Sequence, residues 1–259
     1  MIRAVTFDLD DTLAHSKSAV SPTMAGLLME LADLLPVCVI SGGRFEQFQQ
    51  QLLAYLPSSV QALARLHLMP TCGTRYYRHE PTGWKQIYAE DLSDDEKTEA
   101  ALVLERTAKD LGLWESDEAV FGPRIEDRGS QITYSALGQQ APVVNKKSWD
   151  PDGAKRRLLQ RRVQAGLPDL EVRSGGSTSI DITRMGIDKA YGLREFARRA
   201  KLQFDEILFV GDRLEPGGND YPVVELGVQT RAVRDCEETE RFLPQLIREI
   251  RKRQADSRC

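Results

Sequence analysis

The sequence predicts an α/β fold, a Rossmann-like core built on a parallel sheet and interrupted by an inserted α+β segment. Three observations lead there. From Ile2 to Tyr55, apolar strand-like runs alternate with helical spacing; the same alternation returns after Gly186; and the stretch between carries several short strands around isolated helices.

The first run, Ile2 to Phe7, is apolar and β-branched and stops at Asp8, Asp10 and Asp11. It reads as a buried parallel strand whose carboxyl end opens into a site, where open α/β sheets bind ligands. Asp8 and Asp10 stand two apart and can converge on one point. Acids that close repel, so either they share a cation or they form a solvated turn. Mg2+ is the simplest such cation, because it prefers oxygen ligands and keeps several waters.

Ser21-Pro22 offers an N-cap with proline at the first helical position, and Met24, Leu27, Leu28, Leu31 and Leu34 recur at helical spacing. Pro36 to Ile40 is a second buried strand, closed by Ser41-Gly42-Gly43, and Phe45 to Tyr55 is another amphipathic helix. Strand, helix, strand, helix implies right-handed parallel crossovers. Ser41 and the backbone beside it, Gly42 included, can face an anion, or the serine can simply cap a helix. Leu66 to Pro70 is a third strand, and Tyr76-Tyr77 with Trp84 to Tyr88 forms a hairpin around Glu80-Pro81-Thr82-Gly83.

From about Leu92 the pattern changes. Ser93 to Glu96 is an acidic helix start, Val120 to Arg124 and Gln131 to Leu137 read as strands, Pro151 to Gln164 as a basic helix, and Leu170 to Arg173 and Ser179 to Thr183 as two further strands. The expected division is a catalytic core of residues 1–84 and 186–259 with an inserted α+β domain of 85–185. Beyond it, Asp188 starts a helix through Lys189, Leu193 and Phe196, and Ile207 to Val210 is a fully apolar strand ending at Gly211-Asp212. Val223-Val224 and Gln229 to Val233 suggest short edge strands, and Glu237 to Arg253 a closing helix, acidic early and basic late as its dipole favours.

With 41% hydrophobic and 29% charged residues over 259, the chain is of ordinary globular composition and long enough for a sizeable core. A net charge of -4 argues against a nucleic-acid partner. Cys38, Cys72, Cys236 and Cys259 form no CxxC pair, which argues against a zinc ribbon or a disulfide framework and for a reducing compartment. No membrane span or signal peptide is expected, and a cytoplasmic location follows.

The residues that follow parallel strands are Asp8 and Asp10, Ser41, and Asp212 with Asn219 and Asp220; Lys189 joins them from a helix start. Acids for a metal, one hydroxyl and one cation suit phosphoryl transfer, which depends on charge neutralisation and positioning. Asp8 is the expected nucleophile. Asp10 is the expected general acid and base, meeting the metal through its backbone carbonyl so that its carboxyl stays free to carry a proton. Asp212, Asn219 and Asp220 would complete the metal shell, and Ser41 and Lys189 would hold phosphoryl oxygens.

The set Asp8-Leu9-Asp10-Asp11-Thr12-Leu13, Val39-Ile40-Ser41-Gly42-Gly43, Gly186-Ile187-Asp188-Lys189 and Gly211-Asp212 with Asn219-Asp220 resembles, in order, the four motifs of the haloacid dehalogenase superfamily. The insertion is similar to the large cap of its branch containing Cof-type sugar phosphatases and eukaryotic-type phosphomannomutases. Gly211 to Tyr221 resembles the mutases' G-D-x-x-x-P-G-G-N-D loop, and Gly176 to Ile182 their cap strand, which implies that Ser179 and Asp181 touch the sugar. Those mutases carry cap arginines that grip a distal phosphate. Here Arg128 is kept, Gln139 stands where an arginine would end the motif, and Lys146 is among the next basic residues. A neutral amide cannot replace a bidentate guanidinium. Asp11 replaces a usual glycine, and Thr71-Cys72-Gly73 replaces Glu-Asn-Gly.

The leading expectation is therefore a Mg2+-dependent phosphomonoesterase for a small phosphorylated sugar or polyol, whose cap selects the substrate. A phosphohexomutase moving phosphate between the 1- and 6-positions is the alternative, and a catalytically silent binding module the third. A homodimer is compatible with the resemblance.

Overall fold

The computed structural model describes residues 1–256, so Cys259 lies outside the described residues. In chain order the elements begin with β1 (Ala4–Phe7), α1 (Pro22–Ala32), β2 (Val37–Ile40), α2 (Phe45–Gln51), α3 (Val60–Leu63), β3 (Leu66–Met69), β4 (Arg75–Glu80) and β5 (Gly83–Ala89). There follow α4 (Asp94–Asp110), β6 (Ile125–Asp127), β7 (Gln131–Ser135), α5 (Val143–Trp149), α6 (Ala154–Gly166), β8 (Leu170–Ser174) and β9 (Ser179–Arg184). The chain closes through α7 (Lys189–Ala200), β10 (Ile207–Gly211), α8 (Tyr221–Val224), β11 (Gln229–Ala232) and α9 (Cys236–Asp256). Two compact units result, one of Met1–Ala89 with the chain from Asp188 onward, the other of Glu90–Ile187.

In the first unit the sheet order is β11-β10-β1-β2-β3-β4-β5. The five strands from β11 to β3 are parallel; β4 and β5 add an antiparallel hairpin. Successive side chains of a strand face opposite sides, so each buried strand feeds two cores. Val5, Phe7, Val37 and Val39 pack with Met24 and Leu28 of α1 and Leu243 and Ile247 of α9. Cys38, Ile40, Ile207 and Phe209 pack instead with Leu193 and Phe196 of α7 and Val223 of α8. Each large side chain so buried contributes about 1.5–3 kcal/mol.

Local chemistry starts the helices. The Ser21 hydroxyl accepts the Met24 N–H with Pro22 at the first turn of α1, and the Asp188 carboxylate accepts the Tyr191 N–H at the start of α7. Because Phe7 pairs with both Val39 and Val210, β2, β1 and β10 end level, and Asp8, Ser41 and Asp212 follow within two positions of that line. The chain leaves β1 toward β2 and later returns to its other side at β10, which makes this the switch point of the sheet.

The second unit is a four-stranded antiparallel sheet, β6-β7-β9-β8. Ile132, Tyr134, Val172, Ile180 and Ile182 pack with Ala100 and Leu104 of α4 and Leu159 and Val163 of α6. Alternation then leaves Gln131, Thr133 and Ser135 of β7 and Ser179 and Asp181 of β9 on the other face. A reciprocal capping box between Ser93 and Glu96 opens α4.

Several expectations are corrected. The boundary at 84/85 falls inside β5, whose pairing with β4 keeps the strand in the first unit to Ala89, and the return falls at 187/188. Val120 to Arg124 is not a strand: Gly122 sits at φ 75° and Pro123 has no N–H to donate, so the strand begins at Ile125. Val223-Val224 belongs to the short helix α8, with Pro222 in its first turn. The helix expected from Phe45 to Tyr55 breaks after Gln51, and the basic helix α6 starts at Ala154, behind Gly153 in the left-handed region.

Candidate active site

At the carboxyl end of β1, Asp8 Oδ1 lies 2.6 Å from Lys189 Nζ, and the same ammonium is 2.5 Å from Asp220 Oδ1. All three side chains are withdrawn from solvent, at 5%, 1% and 0% exposure. Asp212, half-buried after β10, supplies a third carboxylate; oxygens of Asp8, Asp212 and Asp220 lie within 4.8 Å of one another. Three carboxylates around one ammonium leave a formal excess of two negative charges in a nearly dry place. Burial, and then neighbouring acids, push the Asp8 and Asp212 carboxyls upward, against the pull of Lys189. The Lys189 ammonium is itself held charged by Asp220 and Asp8 despite its burial.

A hard divalent cation cancels that excess, and the donors are all oxygens, so the set fits Mg2+. The fit rests on Asp8, Asp212 and Asp220. Asp10, expected beside Asp8, has its carboxylate held by amides: it accepts from Gln47 Nε2 at 2.8 Å, Gln51 Nε2 at 3.2 Å and the Lys17 N–H at 2.9 Å. A cation would meet Asp10 through the backbone. Asn219 is exposed beside the fully buried Asp220.

Backbone packing fixes Asp220. The Arg213 N–H donates to its Oδ2 at 3.1 Å, and the Asp220 N–H donates back to the Arg213 carbonyl at 3.2 Å. A side chain on Gly211 would bring Cβ to 2.4 Å from Asp220 Oδ2, and one on Gly218 to 2.1 Å from the Arg213 carbonyl, so both positions require glycine. Thr12 Oγ1 donates to Asp212 Oδ1 at 3.4 Å.

Ser41 is buried, and its hydroxyl oxygen accepts the Gly43 N–H at 3.1 Å. The Gly43 amide is thus turned inward, while the Ser41 hydroxyl proton is still available to an anion, with Gly42 between them.

Sequence reasoning missed Gln47, Gln51 and Thr12. Gln47 and Gln51 stand i,i+4 at α2 and bond each other at 2.8 Å; that spacing on one helix face was the available signal.

In the second unit Asp181 accepts from Thr133 Oγ1 at 2.8 Å, and burial pushes its carboxyl upward while Arg128 pulls it down. Arg128 is itself engaged, donating through Nε to Glu126 Oε2 at 2.8 Å. Lys146 Nζ donates to the Gln139 carbonyl at 3.0 Å, so these two expected residues lie together. Ser179 pairs across the sheet with Ser135.

Comparison with known proteins bears on the family and the fold. A family model described as eukaryotic phosphomannomutase matches residues 24–249. The phosphomannomutase of Saccharomyces cerevisiae is 23% identical over 249 residues, covering 94% of this chain and 93% of that protein. Human phosphomannomutase 1 is 23% identical over 229 residues, covering 84% and 81%. Among solved structures, IMP-bound Plasmodium falciparum IMP-nucleotidase superposes with a TM-score of 0.71 at 15% identity, over 95% of this chain and 68% of that one. A haloacid dehalogenase-like hydrolase from Bacteroides thetaiotaomicron gives 0.60 at 14%, over 95% and 100%. These superpositions speak for the fold.

Proposed function

The chain belongs to the eukaryotic phosphomannomutase family, within the haloacid dehalogenase superfamily, and on that premise we propose that it is a Mg2+-dependent phosphatase of a small phosphorylated sugar or polyol. The observation that carries the reading is Lys189 held between Asp8 and Asp220, with Asp212 beside them, at the carboxyl ends of the central strands. In-line phosphoryl transfer calls for this combination of a buried carboxylate and fixed positive charge.

Asp8 Oδ attacks phosphorus as the bond to the leaving sugar oxygen breaks, and Asp10 gives that oxygen its proton. Water then attacks the aspartyl-phosphate, Asp10 takes the water's proton, and the bond between phosphorus and Asp8 breaks to release inorganic phosphate. Lys189 and the Ser41 hydroxyl hold the phosphoryl oxygens. Held by Asp8, Asp212, Asp220 and the Asp10 carbonyl, Mg2+ would supply neutralisation of the phosphoryl charge.

Hydrolysis is preferred over transfer to a second hydroxyl because of the second unit's basic residues. A mutase alternates between two phosphates. Here Gln139 is neutral, Lys146 is engaged by the Gln139 carbonyl, and Arg128 is paired with Glu126. By name the mutase reading is the stronger match: the family model over residues 24–249 and the yeast and human relatives are all phosphomannomutases.

A panel of hexose 1- and 6-phosphates, polyol phosphates and nucleoside monophosphates, read for both phosphate release and isomer formation, separates them. Phosphate release without isomer is expected. Accumulation of mannose 6-phosphate from mannose 1-phosphate with a bisphosphate activator would replace the phosphatase by a mutase, and preferred turnover of a nucleotide would replace the sugar.

A further inference from the structure

A second group of metal-binding side chains lies outside the acidic site. His15 follows the Asp8–Leu13 loop, Cys236 and Glu237 open α9, and one donor atom from each lies within 4.8 Å of the others. His15 Nε2 is 2.9 Å from Glu237 Oε1, and the Cys236 thiol donates to Glu237 Oε2 at 3.5 Å. We infer that His15, Cys236 and Glu237 bind a thiophilic divalent cation of the zinc class, at a site separate from the three aspartates.

The donor set selects the metal. Imidazole, thiolate and one carboxylate suit Zn2+ and its neighbours, whereas the all-oxygen aspartate group suits Mg2+, so two cations would sort by softness. Zn–S of about 2.3 Å and Zn–N or Zn–O of about 2.0–2.2 Å put neighbouring donors of a tetrahedron roughly 3.3–3.7 Å apart. His15 meets Glu237 Oε1 at 2.9 Å and Cys236 meets Oε2 at 3.5 Å, and the three donors lie within 4.8 Å, so closing on one ion needs side-chain movements on the order of an ångström at this exposed place. His15 and Glu237 are 62% and 52% exposed, so an ion can enter and water can take the fourth position.

The Cys236 thiol donates to the Glu237 carboxylate; a divalent cation would take the place of that thiol proton and join carboxylate to thiolate. Binding would also tie two parts of the chain 222 residues apart. The turn that carries His15 includes Lys17, whose N–H holds the Asp10 carboxylate at 2.9 Å. A bound ion would therefore fix the turn behind Asp10. The inference does not depend on the reaction assigned to Asp8.

The test uses Co2+ as the probe, titrated into the untagged, reduced chain in excess Mg2+. One equivalent should give tetrahedral visible bands and a thiolate-to-cobalt charge-transfer band in the near ultraviolet, both displaced by Zn2+. Cys236→Ser should abolish the charge-transfer band. His15→Ala, at a position 62% exposed, should weaken Co2+ binding at least about tenfold. Cys72→Ser, Cys259→Ser and Asp212→Asn should leave the band in place. Absence of the band in the parent chain, its survival in Cys236→Ser, unchanged affinity in His15→Ala, or its loss in any of the last three variants would each overturn the site.

Discussion

Lys189 donates to Asp220 across 2.5 Å with both side chains fully withdrawn from solvent, and the same ammonium reaches Asp8 at 2.6 Å. A buried cation shared by two carboxylates joins stability to chemistry at one atom. Lys189→Met should therefore destabilise the metal-free protein by about 3–5 kcal/mol, because two buried acids lose their counter-charge. Adding Asp220→Asn should recover part of the loss. Urea midpoints in EDTA check this; a loss near zero for Lys189→Met would mean that the pair is not formed in solution.

Asp8→Asn should lower phosphate release at least about a thousandfold with little change in melting temperature, since the amide is not a nucleophile and its shape is the same. EDTA should stop the parent enzyme and Mg2+ should restore it. Turnover that survives either treatment would remove Asp8 or the metal from the reaction.

Gln47 and Gln51 hold the Asp10 carboxylate at 2.8 and 3.2 Å. Replacing both with alanine should reduce kcat about tenfold while KM stays near its parent value, the scale expected for losing hydrogen bonds to a charged group. In an Asp10→Ala background the same replacements should have no further effect. Additive losses in that cycle would place the two glutamines in a role other than positioning Asp10.

Gly211→Ala should be among the most damaging small changes, because its Cβ would stand 2.4 Å from Asp220 Oδ2 and 2.8 Å from a ring carbon of Phe209. Both neighbours are buried, so the carboxylate must move away from Lys189. Activity and melting temperature should fall together, whereas Gly42→Ala, with open space at its Cβ, should keep its melting temperature.

His67 gives the fold a pH dependence of known sign. Burial first, and then the nearby Arg78 charge, lower it from 6.5 to about 3, and its Nδ1 lies 2.7 Å from the Tyr76 hydroxyl. The unfolded chain binds a proton below 6.5 that the folded chain refuses until about 3. Stability is thus fully present above pH 6.5 and is lost as the pH falls toward 3. Between pH 7 and pH 5 the loss from this residue is about 2 kcal/mol. His67→Gln should flatten that slope in denaturant titrations; an unchanged slope would assign it to other groups.

Much was legible in the sequence because it was local. Buried parallel strands must be apolar on both faces, so Ile2 to Phe7, Pro36 to Ile40 and Ile207 to Val210 announced themselves, the first two ended by Asp8 and Ser41 and the third by Gly211-Asp212. Ser21 read correctly as a cap and Asp188 as the acidic start of its helix, because a cap bonds only to its own first turn. Within the inserted unit the strands that alternate cleanly were legible, while the segment ahead of β6 was not, since Pro123 and Gly122 override the apolar composition of Val120 to Phe121.

The direction in which a side chain turns was decided elsewhere. Asp8 and Asp10 are two residues apart and chemically alike, yet Asp8 meets Lys189 and Asp220 from the far end of the chain while Asp10 meets Gln47 and Gln51 of the helix after β2. By itself the sequence determined which residue types stand at the ends of the central strands, because strand burial and strand end are properties of adjacent residues. Only the tertiary structure decided which acids share a cation and which is held apart by amides, because those partners lie tens to hundreds of residues away and are chosen by sheet order and helix packing.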